Sequence, residues 1–184
     1  MSQVKVKRRI PSPKDLAQLL KFRKFILSPT KRRLSKALTI YDLRDIAKRR
    51  TPQAPFDYTD GGSDTESSLT RTRTAYEKLE FQPKILLNVK DVDISVNMLG
   101  KNASMPIGIA PTGFTRMMQT EGEYAGACAA SDAGIPYTLS TMGTRSIEDV
   151  AKAAPNGRNW FQLYMWKDRD RSMALVDRAK AAGF

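Results

Sequence analysis

Three short stretches of this chain place small polar groups, a glycine and a tyrosine where the edge of a ligand could be read. They are Pro111-Thr112-Gly113, Ser140-Thr141-Met142 and Gln162-Leu163-Tyr164. Each stands at the end of an apolar run: Pro106 to Ala110, Pro136 to Ser140 and Trp160 to Met165. The Ser140 hydroxyl and the Gln162 amide offer donors and acceptors, and Gly113 lets backbone approach a ligand closely. Such a set suits the edge of a flat, neutral heterocycle better than a metal ion or a phosphate. Gly108 and Gly113 have the glycine spacing of a phosphate-binding loop, but Phe114-Thr115 stands where Lys-Ser/Thr is required. With no histidine and one cysteine, Cys128, zinc sites built on those ligands and histidine-based triads are excluded.

The elements that must position these residues follow from the pattern around them. The three apolar runs, each followed by a polar loop and a helix signal, predict parallel strands at about 106 to 110, 136 to 140 and 160 to 165, because crossover helices return the chain to start each strand in the same direction. Thr120 with Glu123 and Ser146 with Asp149 read as capping boxes for the first two helices, which Gly134 and Pro155 end. A third helix is expected over about Arg169 to Ala182, closed by Gly183. Upstream, Thr39 with Asp42 opens a helix that Pro52 ends, and Ser63 with Glu66 opens another that runs towards Pro83. A helix is also expected at Lys14 to Leu27, and the alternation Val92-Asp93-Ile94-Ser95-Val96 reads as a half-buried strand before a Gly100-Lys101-Asn102 turn. Cys128, between small residues, reads as a small buried side chain.

The net charge of +12 is unevenly held. Residues 1–50 carry 16 Lys and Arg against 3 acidic residues, whereas residues 51–184 carry 15 against 16. The chain is therefore expected to divide into a basic leader, residues 1–37, and a neutral globular part, residues 38–184. A nucleic-acid-binding module is disfavoured because aromatic residues are not interleaved with the basic ones. An anionic membrane surface suits the leader better.

The runs Phe56-Asp57-Tyr58-Thr59-Asp60-Gly61-Gly62, Met105 to Gly113, Thr138-Leu139-Ser140-Thr141 and Trp160 to Tyr164 together resemble the FMN-dependent L-2-hydroxy acid dehydrogenase and oxidase family. The leader is most similar to that of bacterial quinone-linked L-lactate dehydrogenases. The resemblance covers about residues 38 to 184 and implies an α/β fold, a partial TIM barrel made of the N-terminal helices and the first three of eight strand and helix units. It implies FMN as cofactor, with Pro111, Thr112 and Gly113 against the flavin ring and Ser140 and Gln162 on its pyrimidine edge. It also implies that Tyr58 binds the substrate carboxylate and that Tyr164 lies beside the substrate hydroxyl.

The implied reaction is oxidation of L-lactate or a related 2-hydroxy acid, with a quinone as electron acceptor, on the cytoplasmic face of a membrane. Gly113, where many oxidases of the family carry alanine, favours an acceptor other than oxygen. The family's histidine base, carboxylate-binding arginine, flavin-contacting lysine and phosphate-binding loops are expected in later units. No catalytic residue is therefore assigned within these 184 residues. The chain alone is expected to be inactive, or to act with a complementary chain or as a homo-oligomer.

Overall fold

The computed structural model describes residues 25–184. The chain divides into two compact units between Arg50 and Thr51. In the first unit, α1 (Pro29–Leu34) starts at Ser28, whose hydroxyl accepts the Lys31 N–H, and buries none of its residues. Helix α2 (Ile40–Lys48) carries the expected capping box. Thr39 Oγ1 accepts the Asp42 amide at 3.2 Å, and the Asp42 carboxylate accepts the Thr39 amide at 2.8 Å. The Leu38 amide, which also donates to that carboxylate at 2.9 Å, and the Thr39 amide and hydroxyl hold the Asp42 carboxyl below its ordinary pKa. The helix expected at Lys14 to Leu27 lies mostly outside the described residues, and Phe25 to Leu27 are not helical.

The second unit holds α3 (Gln53–Asp60), α4 (Ser67–Glu77), a hairpin of β1 (Val96–Met98) and β2 (Lys101–Ala103), α5 (Glu123–Ala133), β3 (Pro136–Ser140), α6 (Ile147–Ala153), β4 (Arg158–Gln162) and α7 (Arg169–Ala181). Strands β3 and β4 pair in parallel with Pro136 opposite Arg158 and Ser140 opposite Gln162. Ile109 adds a single parallel bridge to Tyr137 on the other side of β3. The three segments therefore run parallel, as expected.

The segment at 106 to 110 nevertheless does not form a strand. Ile109 donates to Pro136 O and accepts from Thr138 N, both near 3.0 Å. The next parallel bonds would need an N–H from Pro111 on one side and from Pro136 on the other, and neither proline has one. The two prolines thus limit the pairing to one bridge. The third strand lies two residues earlier than expected, at 158 to 162. Beyond Gln162 the ladder ends, because the Tyr164 amide donates to Thr141 Oγ1 at 2.9 Å instead of to strand backbone.

Three further expectations are corrected. The strand read at 92 to 96 begins only at Val96, since Asp93 Oδ1 captures the Ser95 amide at 2.8 Å in a local turn. Helix α4 starts at Ser67, not Ser63: Glu66 adopts left-handed backbone (φ 58°), and its carboxylate accepts from Gly62. Helix α5 starts behind Gly122 with no side-chain cap, and Glu123 is turned elsewhere. Helices α6 and α7 begin as their sequences indicate, with Ser146 and Asp168 accepting the amides of Asp149 and Arg171. Cys128 is half-buried, its thiol 3.3 Å from Ala153 O.

The core gathers around β3. Tyr137 and Leu139 pack with Ala127 and Ala130 of α5, Ile147 and Val150 of α6, and Ala179 of α7. The alanines let helix α5 approach the strand closely, and Gly126 extends that approach, since a Cβ there would lie 2.8 Å from the Tyr137 ring. Alanine would gain roughly 1 kcal/mol of helix propensity, while forcing a methyl into a packed ring costs roughly 1–3 kcal/mol. Gly126→Ala should therefore lower stability despite its better propensity, and urea denaturation checks the sign.

Across the outer surface, Arg178 holds Glu148 through two 2.8 Å bonds. Those bonds lower the Glu148 pKa to about 2. A carboxylate with a depressed folded pKa stabilises the fold above its unfolded value and loses that contribution as pH falls through the folded one. Glu148→Gln should remove a small, salt-sensitive part of the loss of stability between about pH 4.5 and 2. Parallel acid titrations of the two proteins by circular dichroism test this.

Candidate functional site

At the C-terminal ends of the parallel segments, the ladder brings two of the expected residues into contact. Because Ser140 and Gln162 are register partners, their side chains emerge side by side, and Ser140 Oγ donates to Gln162 Oε1 at 2.9 Å. The Met142 amide in turn donates to Ser140 Oγ at 3.1 Å. Thr141 joins the same cluster: its amide and hydroxyl both donate to Gln162 O. Ser140 is buried and Gln162 half-buried. Among the described residues the Gln162 amino group has no hydrogen-bond acceptor, so a donor stands beside the remaining acceptor capacity of Oε1.

The Pro111-Thr112-Gly113 loop is fastened to this cluster from the other side. Phe114 N donates to Met142 O at 3.0 Å, and a Cβ on Gly113 would lie 3.0 Å from Met142 Cβ. Pro111 and Thr112 are exposed and Gly113 is half-buried. Phe114 takes left-handed backbone (φ 55°) to start a 3-10 turn at Thr115–Met117. Tyr58, on the exposed side of α3, meets the edge of the Phe114 ring with centroids 6.4 Å apart. It is thereby brought to the Gly113 loop, although 66% of it remains exposed. Tyr164 is tied in through its backbone alone, and its ring is 52% exposed. The structure thus joins Ser140, Gln162, Gly113 and the two tyrosine-bearing segments on one side of the unit.

One residue of this neighbourhood was misread from sequence. Glu123 is 1% exposed, and its carboxylate accepts from the Thr144 amide at 2.6 Å and from the Thr144 hydroxyl at 2.8 Å. Burial pushes its carboxyl up, but hydrogen bonds from the Thr144 amide and hydroxyl, the Thr115 hydroxyl and its own amide together outweigh that and leave the pKa below its ordinary value. Its charge and, chiefly, burial raise Tyr137 to about 12. The spacing Thr120 to Glu123 concealed this, because it imitates a capping box.

The cluster fits the edge of a flavin. A pyrimidine edge alternates carbonyl and N–H groups, and the paired Ser140 hydroxyl and Gln162 amide present matching donors and acceptors from fixed strand ends. Among the described residues no group of acidic side chains and cysteine could hold a metal ion.

Comparison with known proteins agrees with this geometry. The family model described as FMN-dependent dehydrogenase matches residues 47–184. The chain belongs to this FMN-dependent family. Over 179 residues it is 59% identical to the Mycobacterium tuberculosis protein named "Putative L-lactate dehydrogenase", covering 97% of this chain and 43% of that one. It is 45% identical to glycolate oxidase of Spinacia oleracea over 139 residues, 76% of this chain and 37% of the relative. A crystal structure of mandelate oxidase superposes with a TM-score of 0.75 at 41% identity, over 80% of this chain and 44% of the other. The parallel segments and their helices therefore form part of a TIM barrel. The chain spans less than half the length of the relatives it matches.

Removing the Ser140 hydroxyl leaves the Met142 amide without its acceptor and Gln162 Oε1 without its donor. Ser140→Ala should cost about 1–3 kcal/mol and speed hydrogen exchange at the Met142 amide. A denaturation midpoint and exchange rate equal to those of the unsubstituted chain would contradict this account.

Proposed function

We propose that this chain supplies the ring-edge and substrate-facing part of an enzyme that oxidises L-lactate, or a closely related L-2-hydroxy acid, to the 2-oxo acid. The observation that carries the reading is the Ser140–Gln162 pair beside the Gly113 loop, at the strand ends where barrel enzymes place their sites. When bound, FMN supplies the acceptor for the hydride equivalent removed from the substrate carbon. Ser140 and Gln162 orient its pyrimidine edge, and Pro111, Thr112 and Gly113 offer backbone to the ring. Tyr58 binds the substrate carboxylate, and Tyr164 stands beside its hydroxyl. The 59% identity to the mycobacterial protein favours lactate over the larger mandelate and the smaller glycolate.

A quinone is proposed as acceptor. Gly113 supports this, because many oxidases of the family carry alanine there, whereas here Met142 packs so closely that a Cβ on Gly113 would lie 3.0 Å from the Met142 Cβ. The basic leader supports placement at the cytoplasmic face of an anionic membrane. The described part of it exposes Lys31, Arg32 and Lys36, together with Leu27 and Leu34. No helix among the described residues is long and apolar enough to cross a membrane. Each Lys or Arg near an anionic surface contributes about 1 kcal/mol, screened within a Debye length. Sedimentation with anionic vesicles should therefore fall steeply as salt is raised and should be lost on deleting residues 1–37.

Proton removal from the substrate hydroxyl needs a base, and the 184 residues contain no histidine. The purified chain should accordingly give no lactate-dependent dye reduction, and a polypeptide carrying the family's histidine-bearing units should restore some when added. Exposed apolar side chains such as Phe81, Ile85 and Leu86 favour association with such a complementary surface. Since the residues assigned here meet only the ring, FMN and riboflavin should bind weakly and with similar affinity. Fluorescence titration tests this, and tight, stoichiometric FMN binding or lactate turnover by the chain alone would contradict the proposal.

A further inference from the structure

We propose that Glu123 is a positioning residue for the flavin edge: its buried carboxylate anchors the turn at Ser140–Thr144 and, through that turn, both loops that face the ring. The inference rests on the flavin reading given above.

A carboxylate withdrawn from water is costly unless donors replace its solvation. Glu123 is 1% exposed, and its short hydrogen bonds come from the amide and hydroxyl of Thr144, 21 residues further along the chain, while the Thr115 hydroxyl and its own amide also favour the charged carboxylate. Helix α5 begins at Gly122 without a side-chain cap. The carboxylate is instead directed at the loop between β3 and α6.

That loop is bound at each step. Gly143 N donates to Ser140 O at 2.9 Å, closing the turn. Met142 N donates to Ser140 Oγ, and Met142 O accepts from Phe114 N, the residue after Gly113. Thr144 thus stands at one end of a chain of bonds whose other end is the Gly113 loop. Gly143 leaves room for this arrangement, because a Cβ there would lie 2.9 Å from both Leu139 Cδ1 and Ser140 O. Between the two flavin-facing loops, the fixed point that belongs to neither is the Glu123 carboxylate. Groups that read a ligand edge act at their full strength only when held in place beforehand.

The test uses the whole 184-residue chain, labelled with nitrogen-15 and titrated with FMN while the amides of Gly113, Ser140 and Gln162 are followed. Thr144→Val removes the hydroxyl donor but keeps the amide bond and the buried carboxylate. Thr144→Ser restores the hydroxyl, and Glu123→Gln removes the charge. Thr144→Val and Glu123→Gln should each weaken FMN binding about tenfold, with the Met142 and Phe114 amides exchanging faster. Thr144→Ser should bind FMN as the unsubstituted chain does.

A role confined to stability would lower the thermal midpoint of Thr144→Val and leave the FMN affinity of the folded protein unchanged, and that result overturns the inference alone. If Glu123→Gln does not fold, the Thr144→Val and Thr144→Ser pair decides. Absence of any FMN-induced shift in the unsubstituted chain overturns the ring-edge reading and this inference with it.

Discussion

The parallel register that sets Ser140 opposite Gln162 is the constraint on which the rest of the site depends. A slip of two residues would keep the same faces inward but separate the hydroxyl from the amide by a full strand repeat. Register is held from both ends. At the N-terminal end, Arg158 donates to Lys101 O, which ties the start of β4 to the β1–β2 hairpin, and Ser104 ties that hairpin to the end of α5. At the C-terminal end, Thr141 donates twice to Gln162 O. The side-chain pair is therefore a consequence of backbone pairing fixed elsewhere.

On the other side of β3 the same economy of bonding has a different result. Pro111 and Pro136 remove the two amides that would extend the Ile109 bridge, so the Pro111-Thr112-Gly113 loop is only lightly held by sheet hydrogen bonds. Its position comes from Phe114, whose amide reaches Met142 O and whose left-handed backbone turns the chain into the 3-10 segment. A non-glycine residue in that region costs of order 1 kcal/mol. One backbone bond, the close approach of Gly113 to Met142 and the Phe114–Tyr58 ring contact offset that cost locally.

Much of this was legible in the sequence, for identifiable reasons. Helices α2, α6 and α7 have side-chain caps whose partners lie within four residues, so local reading located them. Strand β3 was placed correctly because a short apolar run between Gly134 and a polar loop has few alternatives. The failures share a cause. Glu66 and Glu123 each stand three residues after a Ser or Thr, but their carboxylates serve Gly62 and Thr144 rather than a helix start. Local spacing cannot tell which amide a carboxylate will take, whether four residues away, as for Glu66, or 21, as for Glu123. The limit on the segment at 106 to 110 was in principle readable, since both prolines are visible, but it required knowing which residue of β3 faces Ile109. Of the site, Ser140, Gln162 and Gly113 do converge, whereas the Thr144 contact to Glu123 had no local signal.

The site also separates two kinds of work. Ser140 and Gln162, which would orient a ring, are buried and half-buried at strand ends, and displacing either within the fold would leave a donor or acceptor of the other unpaired away from water. The phenols of Tyr58 and Tyr164 are at least half exposed, and each keeps water as a competitor for its hydroxyl. An exposed donor exchanges one hydrogen bond for another of similar strength and gains little from a ligand. The carboxylate recognition proposed for Tyr58 therefore requires a surface that excludes water over it, and Phe114 meets its ring only edge-on. On the proposed reading, orientation of the heterocycle falls to this unit, while discrimination among hydroxy acids depends on whatever closes over the two tyrosines.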